Sequence, residues 1–90
     1  MYHYEMPQST QDSLEAYASK GVPTGGFLRA VLENDLTEAI GRADEHNIRA
    51  IQNIVSWVYN EAPSICHGSS EKVEAWLESF RVNTAKGNEL

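Results

Sequence analysis

No stretch of these 90 residues stays apolar for the roughly 20 positions that a membrane-spanning helix needs, so the sequence offers no anchor of that kind. Met1 to Pro7 lack a basic start followed by an apolar run. That leaves no signal-peptide pattern and makes the cytoplasm of the producing cell the expected location. Cysteine occurs once, at Cys66, which fits a reducing compartment. Cations are scarce as well: 7 Lys and Arg stand against 13 Asp and Glu, a formal net charge of -6, which opposes binding of duplex nucleic acid through its phosphates. Internal repeats and low-complexity blocks are missing too.

What is present is an ordinary globular share of apolar residues, 41%, too high for a disordered chain. They are arranged in helical periods. From Asn47 to Tyr59, the residues Ile48, Ile51, Ile54, Val55 and Val58 recur at steps of three and four, and Trp57 and Tyr59 widen the stripe. A segment this apolar needs cover on more than one side, and the flanking segments are short and amphipathic. The expected fold is all-α, a compact bundle of four to five short helices around a central apolar helix at about 45–60. Residues 1–8 form an arm, 9–81 a single domain and 82–90 a tail. A core this small supplies only about 3 to 5 kcal/mol of net stability, so self-association as a dimer or larger ring is expected.

Local signals divide the bundle. Ser9 or Thr10 is placed to cap a first helix with a thin face of Leu14, Tyr17 and Ala18, and Gly21 closes it. Thr24 is placed to cap a second helix, Gly25 to Glu33, whose stripe is Phe27, Leu28, Val31 and Leu32. Asn34 and Asp35 make a bend, with Asp35 and Glu38 as a capping box, unless one helix runs through both. The third helix, Asp35 to Ala43, is expected to bury Leu36, Ala39 and Ile40, with Gly41 leaving room for a close neighbour. Asp44 caps the central helix, and Asn60 and Pro63 end it. In the last helix Val73, Trp76, Leu77 and Phe80 sit at 0, 3, 4 and 7, and the period stops after Arg81.

Few residues carry chemistry. His46 beside Asp44 and Glu45 has the wrong spacing for a metal on a helix, and adjacent Cys66 and His67 lack a third group to make a nucleophile and base. No catalytic set, metal site or cofactor is expected, and Cys66 is read as a small buried residue. The anionic ridge of Glu71, Glu74 and Glu78 and the off-stripe Trp57 are candidates for a partner interface, with Trp76 assigned to the core. The glycine passage is the one ligand signal. Free amides of Gly25, Gly26 and Phe27 after Thr24, with Arg29 one turn on and Tyr17 or Tyr4 as an aromatic cover, suit a small anion. It has neither the lysine nor the spacing of a P-loop. The alternative is that the glycines let the second helix pack closely on the first or the central one.

The passages Val22-Pro23-Thr24-Gly25-Gly26-Phe27-Leu28, Ala30-Val31-Leu32-Glu33-Asn34-Asp35-Leu36, Gly41-Arg42-Ala43-Asp44, Tyr59-Asn60-Glu61-Ala62-Pro63 and Cys66-His67-Gly68-Ser69 resemble a group of short proteins encoded by tailed bacteriophages and prophages. The resemblance implies an accessory product in the cytoplasm of an infected bacterium and brings no catalytic motif with it. The expectation is a non-enzymatic protein that acts by stoichiometric binding, antagonising a host process such as antiviral defence. Its target is either a host protein or a nucleotide-like anion, and the alternatives are a homo-oligomer without external ligand or a small enzyme.

Overall fold

A computed structural model describes the backbone of residues 4–89 and the side chains of residues 4–81. The described residues form six α-helices and one 3-10 turn, with no strand, so the all-α bundle read from the periodicity is the fold observed. They are α1 Gln8–Lys20, α2 Gly26–Leu32, α3 Leu36–Arg42, α4 Glu45–Arg49, α5 Ile51–Glu61 and α6 Ser70–Glu89, the 3-10 turn being Ser64–Cys66. Helical backbone thus continues to Glu89, while the tail expected over 82–90 falls outside the residues whose side chains are described.

The helix ends arise from local chemistry, with two corrections. Pro7, not Ser9 or Thr10, sits at the start of α1, because its carbonyl already accepts from the amides of Thr10 and Gln11 at 3.0 and 3.1 Å. Thr10 is therefore inside the helix and buried, its hydroxyl donating to Asn47 Oδ1 at 2.6 Å. Gly25, not Thr24, precedes α2. Asn34 takes a left-handed φ of 65°, and the Asp35 and Asn34 amides return to the Ala30 and Val31 carbonyls at 2.8 and 3.1 Å. That pairing ends a helix with its last carbonyls satisfied, so α2 and α3 are separate. Asp35 and Asp44 cap α3 and α4 through the amides of Glu38 and Asn47.

The central helix is in two pieces. Ala50, with φ −100° and ψ 8°, turns its amide to the Asn47 carbonyl and separates α4 from α5. The core cluster includes Leu14, Tyr17, Leu28, Leu32, Ile54, Trp57, Val58, Cys66 and Val73, so every helix except α3 and α4 contributes a large side chain to it. Around it Ala18, Phe27, Val31, Trp76 and Leu77 are partly buried, and Tyr4 and Met6 lie on the same cluster. The arm is laid on α5 by two bonds, Tyr4 hydroxyl to Glu61 at 3.1 Å and Asn53 amide to the Glu5 carbonyl at 2.9 Å. On α3 only Ala39 is buried. Leu36 and Ile40 are 65% and 45% exposed, against expectation, because α3 packs mainly on α2. Gly41 faces open space rather than a close neighbour.

Candidate functional site

The glycine passage does not assemble the anion site expected from the sequence. Gly25 and Gly26 are exposed, and the Thr24 hydroxyl donates to the Gly25 carbonyl at 3.1 Å. Tyr17 cannot cover a ligand there, because it is buried in α1 with its hydroxyl donating to the Cys66 carbonyl at 2.7 Å. Arg29 is already engaged: its Nε meets Glu33 at 2.7 Å and its other arm reaches Glu74 on α6. These two carboxylates, Glu33 first, raise its pKa further and satisfy the charge an anion would need. Close packing on α1 or the central segment is not the glycines' role either. A Cβ on Gly25 would touch nothing within 4 Å, and one on Gly26 would meet the Arg42 side chain at 3.0 Å. Gly25, Gly26 and Phe27 instead share a depression of about 250 Å³ with Ser9, Ser13 and Asn47.

Arg29 therefore acts as a clasp between α2 and α6. Both pairs are partly solvated, so Arg29→Ala should cost only about 0.4 to 2 kcal/mol, two surface pairs at their usual worth. Urea unfolding monitored by circular dichroism checks it; a larger loss would mean that Arg29 is structural in a way its exposure does not suggest.

The acidic ridge is interrupted in the same manner. Glu74 is held by Arg29, Glu78 by Arg81 at 2.8 Å, and Glu71 accepts from Ser70 at 3.4 Å. Arg42 and Arg49 pair with Glu38 and Glu45, as the spacing predicts, so all the arginines of this chain are ion-paired. Trp57 is 8% exposed and belongs to the core, which removes it as an interface residue. Its position beside Ile54 and Val58 on one side of α5 outweighs its place off the main stripe. Trp76, assigned to the core, is only partly buried; its Nε1 donates to the Tyr17 carbonyl at 2.9 Å.

The arrangement that remains is on the other flank of α5. A pocket of about 130 Å³ is lined by Val31, Asn34, Val55, Val58, Tyr59 and His67. Three elements build it. The left-handed turn at Asn34 ends α2 at its edge, and the Gly68 amide bonds the Leu32 carbonyl at 2.7 Å, pinning the His67 loop beside α2. A helix advances about 100° per residue, so with Ile54, Trp57 and Val58 inward, Val55 and Tyr59 come round to the rim. They are 43% and 80% exposed. Leu36 and Ile65, at 65% and 66%, lie two positions along the chain from Asn34 and His67. Two of the exposed large apolar residues, Val55 and Tyr59, thus line one pocket.

His67 is half-buried, and its imidazole makes no hydrogen bond to the described residues; Nε2 is closed off from solvent. Burial, and secondly the charge of Lys72, push its pKa below the ordinary 6.5. Cys66 beside it is fully buried, and desolvation raises its pKa, which keeps it a thiol rather than a nucleophile. Below about pH 6.5 the unfolded chain takes up a proton that native His67 resists. Its contribution to stability is complete above that value and is lost as pH falls through the depressed native pKa. The melting midpoint should therefore drop as the pH falls below about 6.5, and His67→Gln should flatten that drop. An unchanged slope in the variant would assign the acid sensitivity to other groups.

Comparison with protein-family models, curated proteins and solved structures gives no match. A functional reading of this chain therefore rests on the chemistry of its own residues. Among the described residues no three His, Cys, Asp or Glu side chains gather as metal ligands, and no helix is long and apolar enough to cross a membrane. Periodicity alone puts Val55 and Tyr59 on the buried stripe and gives His67 no role. The available signal was their i, i+4 spacing on a helix whose stripe is too wide for all of it to be covered.

Proposed function

We propose that this chain is a non-enzymatic accessory protein that works by stoichiometric binding of another protein, through the flank of α5 that carries Val55 and Tyr59 and the pocket beside them. The observation that carries the reading is the pairing of exposed Val55 with Tyr59, an aromatic 80% exposed, on the rim of one pocket. Solvated aromatics and clustered apolar surface are what protein interfaces use. Sequestering a nucleotide-like anion is the weaker reading, because the arginines are already held by carboxylates. Catalysis is weaker still: the buried Cys66 and Tyr17 are raised in pKa, and no base stands beside an exposed nucleophile at the pocket. The resemblance to short phage proteins supports the setting, an infected bacterium, and antagonism of a host process such as antiviral defence as the outcome.

The test is affinity capture from the bacterium that makes the protein, with the wild-type chain and Tyr59→Ser compared by quantitative mass spectrometry. The expected result is one protein, host or self, retained in near-stoichiometric amount by the wild type and lost with Tyr59→Ser. Equal retention by both, or nothing retained by either, overturns the reading.

A further inference from the structure

On the side of α5 turned away from Val55 and Tyr59, we infer that the arm before α1 is a releasable strap: Tyr4 to Pro7 fill a peptide groove floored by Trp57, and they can lift from it without unfolding the bundle. Asn53, Trp57 and Glu61 stand four positions apart, and each step of four turns a helix by only about 40° beyond a full circle, so the three make one row. The arm is tied at both ends of that row. The Asn53 amide donates to the Glu5 carbonyl at 2.9 Å, and the Tyr4 hydroxyl donates to Glu61 at 3.1 Å, one turn before Trp57 and one turn after it. Because the second tie is made by the tip of the Tyr4 side chain, the ring bridges the ends of the row across Trp57. Tyr4 and Met6 pack on the core cluster to which Trp57 belongs, and Trp57 keeps only 8% exposure.

The occupant tells what the groove recognises. Tyr4 and Met6 are partly buried and Glu5 between them is exposed, the alternation of an extended segment. The groove therefore takes an aromatic with a hydroxyl and, two residues later, an unbranched apolar side chain. Three features make this occupant separable. Both ties are exposed to solvent, and the amides of Glu5 and Met6 make no hydrogen bond among the described residues, so no backbone ladder holds the segment. A space of about 440 Å³ separates Glu5, Met6 and Pro7 from the bend at Arg49 and Ala50, so the strap is not sealed at that corner. Pro7, at φ −55° and ψ 140°, ends the arm where α1 begins, and α1 has its own hold on the bundle through buried Leu14 and Tyr17.

Full-length chains test this, with a synthetic peptide of the first seven residues as the probe, fluorescein-labelled for anisotropy and unlabelled for quenching. Tyr4→Ser combined with Met6→Ser should vacate the groove. The circular dichroism of that variant should stay helical, and its tryptophan emission should become more quenchable by acrylamide until the unlabelled peptide restores protection. It should bind the labelled peptide roughly 10-fold or more tightly than the wild type, whose tethered strap competes at high effective concentration. Adding Asn53→Ala or Glu61→Ala should weaken that binding roughly 2-fold to 10-fold, the worth of one hydrogen bond. In the otherwise wild-type chain the same two changes loosen the ties without touching the packed rings, and each should raise the quenching. Loss of the helical signal in the serine variant would make the arm an inseparable part of the core; unchanged quenching would take the arm off Trp57; equal or absent binding of the peptide by the two chains would deny the groove. Each of these overturns the inference. Tyr59→Ser lies outside the groove and should leave peptide binding unchanged, so the strap and the docking face stand or fall separately.

Discussion

Trp57→Ala should remove about 3 to 5 kcal/mol, the range for a large aromatic deleted from a packed core, and so leave the domain unfolded or nearly so at 37 °C. A core of this size has only about that much net stability to lose. Trp57 is 8% exposed within the cluster formed by Leu14, Ile54, Val58 and Val73, and its neighbours on α5 cannot collapse into the space because the backbone is fixed by helix hydrogen bonding on either side. Trp76→Ala should cost less. Its ring is partly solvated, so the loss is a fraction of the burial together with its edge contact to Phe80, at 5.2 Å between centroids, and one hydrogen bond to the Tyr17 carbonyl. Urea titrations of the two variants give the order directly. Trp76→Ala proving the more damaging would return Trp57 to the surface and restore the assignment that its place in the sequence pattern suggests.

The fate of the two tryptophans shows where a one-dimensional reading stops. Features set by a few neighbouring residues were legible: Gly21 and Asn34 ending helices, Asp35 and Asp44 starting them, Leu14 and Tyr17 as the face of α1, and Val73, Trp76, Leu77 and Phe80 as that of α6. Each comes from propensity or period alone. Which side of a doubly apolar helix is covered depends on the elements that happen to lie over it, and no local pattern contains that. Val55 and Trp57 stand two positions apart and exchange roles for this reason. Leu36 and Ile40 stay exposed because α3 packs mainly on α2. Arg29 looked free because its second carboxylate, Glu74, lies on a helix 45 positions further along the chain. The glycines were conspicuous in the sequence; the histidine pocket, assembled from α2, α5 and the loop before α6, was not.

Gly21→Ala should destabilise the protein by about 2 to 5 kcal/mol, an effect out of proportion to one methyl group. Two costs add. Gly21 has φ 67°, the left-handed region, where an L side chain meets the neighbouring carbonyl at about 1 to 2 kcal/mol. A Cβ there would also lie 2.3 Å from the Phe80 ring, far inside van der Waals contact, and displacing a packed ring costs about 1 to 3 kcal/mol. The ring has little room to yield. It packs at 66° against Trp76, whose indole is tied to the Tyr17 carbonyl, and the Gly21 amide bonds that same carbonyl at 3.0 Å. The end of α1 and the middle of α6 therefore form one joint, and Gly21 is the gap that lets them close. Gly21→Ala combined with Phe80→Ala should then cost less than the two changes summed, because the clash vanishes with the ring. Gly41 supplies the opposite control: it lies within α3 facing open space, so Gly41→Ala should stabilise by about 0.5 to 1 kcal/mol through helix propensity alone. Thermal melts of these variants, Phe80→Ala and the wild type separate these outcomes, and a Gly21→Ala variant as stable as Gly41→Ala would mean that α1 and α6 do not meet at this joint.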